Sequence, residues 1–329
     1  MASLKSDIFS EPLPGLSRHS TSDDPIINGI SAPYNILADL PPSYQLRSYQ
    51  SCSTSKRLQN ALKAIYTELE QNGGNGNQWL VLMGMPQPTI DRLSEADDIL
   101  PDIGVRFMWE ANTGLFKVVP SASHEVITSE ITRHIEDQRV RMGTPRTEGF
   151  WGGTTTNPGT VSTHGKQPDQ CFYPSSRPIS FGQISGWPTL VIESGISESM
   201  AKLRRDATWW FQNSSGDTRI VLLVSIKSRR REVRIEKWQL APPNIGRPGT
   251  TRQLIDQLRQ QPDQMPPLVQ QPANMQLAFS IQEVVITPTS IIGQPLVIPF
   301  RAMYDRQPTG AERDIVIDNV GFREISRFI

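Results

Sequence analysis

Lys166-Gln167-Pro168-Asp169, followed by Leu190-Val191-Ile192-Glu193-Ser194-Gly195, is the stretch on which the fold reading turns. Cys171-Phe172-Tyr173, just behind Asp169, has the composition of a short strand, and Thr189 to Ile192 reads as an apolar buried strand. Asp169 therefore precedes one strand, and Glu193 closes the next, 24 residues later. Two carboxylates at strand termini suit a hard divalent ion, because Mg²⁺ takes oxygen ligands and accepts one or two carboxylates together with waters. A carboxylate attached to a buried strand is desolvated unless a cation or donor satisfies it, so Glu193 requires a partner. Taken singly, Asp169 after a proline also suits a turn, and Glu193 a solvated strand end.

Toward the N-terminus, residues 1–54 are rich in Ser, Pro and Asp and carry no sustained apolar period, which reads as a disordered arm. Leu58, Leu62, Ile65, Tyr66 and Leu69 recur at helical steps up to the Asn/Gly run 72–77. Val105 to Trp109 and Leu115 to Val119 flank Asn112-Thr113-Gly114, a hairpin in which the glycine is expected to supply positive φ. Ser123 can cap a helix running to about Arg141. On it Ile127, Glu130, Ile131 and His134 share one face, so Glu130 is predicted to point inward.

Toward the C-terminus, Ser197 or Ser199 can cap a helix over about 200–213, with Leu203, Ala207 and Trp210 on one side. Arg219 to Ile226 and Val233 to Trp238 form a further strand pair. Helix, strands, helix and two strands predict an α/β (α+β) core over 55–240, a central mixed sheet flanked by helices in three layers. Residues 241–276 turn rich in Pro and Gln and read as a linker, and 277–329 as a small C-terminal appendage of strands and one helix.

In order as well as content these motifs resemble the PD-(D/E)XK nuclease superfamily, and within it the restriction-endonuclease-like family with its uncharacterised fungal relatives. Trp109 to Leu115 looks like the family's glycine hairpin, and Pro120-Ser121 with His124 like the start of its helix. Lys166 to Asp169 looks like the metal-binding PD, Leu190 to Glu193 like the acidic strand, and Lys202 to Trp210 like the helix after it. The resemblance covers roughly residues 105–240. It implies that Asp169 and Glu193 bind Mg²⁺ or Mn²⁺, with the Ser194 carbonyl and Glu130 as further ligands, for metal-assisted hydrolysis of DNA or RNA phosphodiesters. The family lysine would stand at 195, where this chain has Gly195. Lys202 and Arg205 on the following helix, or Lys166, are the basic residues that would replace it. The alternative is a catalytically inactive version of the fold that binds nucleic acid or protein.

The 329-residue chain has 33 basic and 33 acidic side chains, so any contact with nucleic acid must come from a local patch. Lys227, Arg229, Arg230, Arg231 and Arg234 are the densest basic cluster, suited to phosphates, to a nuclear import signal, or to a solvated hairpin tip, and Lys166 with Arg229, Arg230 and Arg231 are the expected nucleic-acid contacts. Trp209 and Trp210 could stack on bases, but their helical spacing favours the core. With two cysteines the chain has no disulfide scaffold or thiolate zinc site. No P-loop, GxSxG, HExxH or GxGxxG is found. The start of the sequence lacks a secretory h-region and no apolar run spans a bilayer, so an intracellular protein, cytoplasmic or nuclear, is expected, with self-association left open.

Overall fold

The computed structural model describes residues 35–329 apart from 96–98, 100–102, 120, 154–155, 160–162, 178, 181–182, 185, 197–199 and 244–251. The first third contains β1 (Gln45–Ser48), α1 (Ser55–Gln71), β2 (Trp79–Met83), α2 (Gln87–Ser94), β3 (Val105–Glu110) and β4 (Thr113–Val118). Thr54 starts α1 by accepting the Arg57 N–H, and Leu58, Leu62, Ile65 and Leu69 form its buried stripe, as their spacing predicts.

The middle contains α3 (Ser121–Met142), β5 (Gly149–Gly152), β6 (Asn157–Pro158), β7 (His164–Lys166), β8 (Gln170–Pro174), β9 (Ile179–Ser180), β10 (Gln183–Ile184), β11 (Leu190–Ile196), α4 (Met200–Asn213), β12 (Ile220–Lys227) and β13 (Glu232–Leu240). The last part adds α5 (Arg252–Leu258), β14 (Ala278–Ile286), β15 (Ile291–Ile292), β16 (Leu296–Ile298), α6 (Phe300–Tyr304), β17 (Ile315–Ile317) and α7 (Asn319–Ile325).

Two sheets carry most of these strands. The first has the order β1-β2-β4-β3-β7-β6, and the second β15-β14-β13-β12-β11-β8-β5. The second sheet is mixed: β11 runs antiparallel to β8 and parallel to β12, with α4 as the crossover. Its strands alternate between two cores. Leu190, Ile192, Leu222 and Val224 pack with Ile127 and Ile131 of α3, while Val191, Val221 and Leu223 pack with Leu203, Ala207 and Trp210 of α4. This is the expected mixed sheet flanked by helices. The first sheet turns Leu80, Leu82, Phe107 and Phe116 toward α1 and α2, leaving Trp79, Met108, Leu115 and Lys117 on its other face.

Several boundaries differ from the sequence reading. The arm read as 1–54 is structured in its described part: β1 pairs in parallel with β2, and Ile36 and Cys52 are buried. Residues 1–34 lie outside the described residues. The linker contains α5, whose Ile255 packs on Phe279 and Ile281, and buries Gln271 and Gln276. The C-terminal stretch is no appendage, because β14 pairs with β13 and extends the second sheet. Val284, Leu296, Phe300, Ile315 and Phe322 complete the α3-side core, covering an edge and a face that would otherwise be bare. In the β3–β4 hairpin the left-handed residue is Ala111 (φ 51°), not Gly114. A Cβ at Gly114 would lie 2.3 Å from Met85 Sδ, so that glycine serves close packing.

Candidate functional site

The chain leaves the first sheet at Lys166, the end of β7, and joins the second at Gln170, the start of β8, so Asp169 lies on the crossover between them. Strand alternation aims Glu193 of β11 at the α4 side. From α4 itself come Lys202 and Asp206, one turn apart, and from β4 comes Lys117. These three lysines and three carboxylates are each at most 5% exposed.

Lys117 Nζ lies 3.0 Å from Asp169 Oδ2 and donates to the Ser194 carbonyl at 2.5 Å. The same Asp169 oxygen accepts the Ser194 N–H at 2.8 Å and the Ser194 hydroxyl at 2.9 Å. Arg106 Nε stands 3.7 Å from Asp169 Oδ1. Lys166 Nζ is 3.0 Å from Glu193 Oε1 and 2.9 Å from Asp206 Oδ2, and Lys202 donates to Asp206 Oδ1 at 2.5 Å. Glu193 Oε1 also accepts the Trp210 indole N–H at 2.6 Å. The Trp79 ring faces the ammonium groups of Lys117 (5.9 Å) and Lys202 (5.6 Å).

Burial is the largest influence on both central acids. It lifts Glu193 above the usual carboxylate range, with Lys166 opposing it. For Asp206 burial acts the same way, but Lys166 and Lys202 together outweigh it and hold the carboxyl below its ordinary value. A small cavity lined by Trp79, Arg106, Lys117, Lys166, Glu193 and Asp206 has room for about one water molecule.

The arrangement does not fit a hydrated divalent ion. Asp169 Oδ2 and the Ser194 carbonyl, two of the oxygens expected to hold the metal, both accept from the Lys117 ammonium, and Asp169 Oδ1 faces Arg106. Glu193 is engaged by Lys166 and Trp210, and the space present cannot hold an ion that keeps several waters.

The expected residues divide into three groups. Asp169, Glu193, Ser194, Lys166 and Lys202 come together as described. Lys166 reaches Glu193 from β7 rather than from position 195, and at 2% exposure it is closed to nucleic acid, which corrects the expectation of a phosphate contact there. Glu130 and Arg205 do not join the site. Glu130 is bound by Arg133 within a surface network with Glu324, because its position on α3 turns away from the second sheet while Ile127, Thr128 and Ile131 turn toward it. Arg205 faces outward and pairs with Asp39, since Lys202 and Asp206 occupy the inner face of α4. Arg229, Arg230 and Arg231 sit at the exposed β12–β13 turn. Trp209 and Trp210 are buried in an edge-to-face pair, so neither stacks on a base. The side chain of His124 lies outside the described residues.

Sequence reasoning missed Lys117, Asp206, Arg106 and Trp79. Lys117 carried a signal, as the one charge inside the apolar stretch Leu115 to Val119. Asp206 stands four residues after Lys202, the spacing of a helical ion pair.

In structure the chain is similar to a solved protein from Anabaena variabilis ATCC 29413, described as "a putative nuclease belonging to DUF820", with a TM-score of 0.29 and 18% identity over 41% of this chain and 80% of that chain. No family model and no curated protein matches the sequence. Among the described residues no helix is long and apolar enough to cross a membrane.

Proposed function

We propose that this chain is a catalytically silent nuclease-like fold that works as a binding module, its acidic pair neutralised from within. The observation that carries the reading is the position of Lys117 Nζ, which bonds both Asp169 and the Ser194 carbonyl and so takes the coordination a dication would need. Three buried ammonium groups against three buried carboxylates leave no uncompensated negative charge to attract Mg²⁺ or Mn²⁺.

A metal-dependent phosphodiesterase is the competing reading, and the Lys166–Glu193 contact favours it by supplying the amine that Gly195 cannot. The test is cleavage of single- and double-stranded DNA and RNA with Mg²⁺ or Mn²⁺, alongside calorimetric titration of each metal. The expected result is no cleavage above that of an Asp169→Ala/Glu193→Ala variant and no specific metal site. Metal-dependent cleavage that disappears in the double variant would overturn the proposal.

A further inference from the structure

The β12–β13 turn and the C-terminal segment meet through Arg231. Its guanidinium donates from Nε (3.1 Å) and Nη2 (3.0 Å) to the main-chain oxygen of Ile329, bringing together residues 98 positions apart. Arg231 sits in the left-handed region (φ 51°), and its N–H closes the turn on the Ser228 carbonyl. The turn contributes Lys227, Arg229, Arg230 and Arg231, and α7 with the 3-10 turn Ser326–Phe328 contributes Arg323 and Arg327. Arg229, Arg230, Arg323 and Arg327 are exposed and form no ion pair among the described residues. The acids at these segments are engaged elsewhere, Glu232 beside Arg234, Glu324 beside Arg133 and His134, and Asp318 on the Val320 and Gly321 N–H groups at the start of α7. Phe328, 44% exposed, stands next to Arg327.

A solvated hairpin tip needs none of this. A chain with no net charge carries exposed arginines on two remote segments that the Arg231–Ile329 contact joins, and the second of these segments ends on an exposed aromatic ring. Guanidinium groups bind phosphate by charge and paired donors, and an exposed ring offers a face to an unstacked base. We infer that this surface binds the phosphate backbone of single-stranded nucleic acid, with Phe328 as the stacking platform. The inference rests on reading the chain as a binding module and names its partner.

The experiment is fluorescence anisotropy of the full chain with a labelled oligothymidylate, titrated over a range of salt. With about four phosphates neutralised, the log–log salt slope is expected near −3. Arg229→Ala/Arg230→Ala should weaken binding by about tenfold or more and bring the slope closer to zero by roughly 1.4. Phe328→Ala should weaken binding by about fivefold or more with the slope unchanged, because stacking releases no counterions. No binding, binding indifferent to the arginine pair, or retention on phosphatidylserine vesicles without oligonucleotide binding would each overturn the inference. Metal-dependent cleavage with this binding intact would instead overturn the silent-fold reading alone.

Discussion

The Lys117 ammonium lies 3.0 Å from the Asp169 carboxylate although β4 belongs to the first sheet and Asp169 leads into the second. Gln78, immediately before β2 of the first sheet, likewise bonds the Ile196 carbonyl of the second. The two sheets are thus joined by polar contacts as well as by the chain that crosses from β7 to β8. Buried ions hold only while every member is matched, since removing one partner strands a charge in a poorly solvating interior.

Lys117→Met is therefore expected to cost about 3–5 kcal/mol, more than the loss of a surface pair. Adding Asp169→Asn in the same chain should recover a substantial part, giving a coupling of more than about 1 kcal/mol in a double-mutant cycle measured by urea denaturation. In Lys117→Ala, which also opens the space the side chain fills, Mg²⁺ or Mn²⁺ should raise the melting temperature, as it should not in the parent, because the freed oxygens then lack a cation. Additive single effects with no metal response would contradict the account.

Trp210 contributes both packing and a donor. Trp210→Phe keeps most of the ring and removes the N–H that Glu193 accepts at 2.6 Å. The expected loss is about 1.5–3 kcal/mol, the range for a hydrogen bond to a charged group. Burial already lifts Glu193, and the variant withdraws support from its ionised form, so the loss should shrink as the pH falls and the carboxyl protonates. A loss equal at about pH 4.5 and about pH 8 would assign it to packing alone.

Lys237 gives a signature in the alkaline range. It is fully buried, donates to the Pro262 carbonyl and to that of Val297 (2.8 Å), and burial pushes its pKa down from 10.5 to about 8. Between those values the unfolded chain binds more protons than the folded one, so this group makes stability rise with pH. The rise is on the order of 3 kcal/mol across the window. Comparing the parent with Lys237→Met by denaturant unfolding from about pH 7.5 to about pH 10.5 isolates it from the tyrosines. Parallel profiles would show that Lys237 does not titrate there.

The core around Asp169 and Glu193 was legible because strand order and apolar runs are local signals. Leu190–Ile192 could be read as a buried strand, and α4 from the spacing of Leu203, Ala207 and Trp210. Lys117 could not be connected to Asp169, because the contact depends on how two sheets pack across 52 positions of sequence. Glu130 misled for a related reason: sharing a helical stripe with Ile127 and Ile131 does not fix how far around the helix the core extends, and Arg133 one turn on offered a nearer partner. The tail read as an appendage because Leu277–Ile286 shows only strand composition, and its partner β13 is chosen by the free edge of a distant sheet.

Gly165 tests how closely the first sheet must pack for Lys166 to reach Glu193. It lies directly across from Trp109 in the β3–β7 pairing, and a Cβ there would fall 2.0 Å from Trp109 Cη2. The indole is 7% exposed and stacks on Phe107 at 5.5 Å, so it has little space into which to withdraw. Gly165→Ala is expected to cost about 1–3 kcal/mol through overpacking. Trp109→Leu costs stability by itself, but in that background the added methyl finds space and the alanine penalty should largely disappear. Because Lys166 is the next residue, the alanine variant should also weaken the dependence of stability on Glu193, read as a smaller effect of Glu193→Gln than in the parent. An alanine penalty that persists undiminished in the Trp109→Leu background would place the strain in the β7 backbone instead of the ring contact.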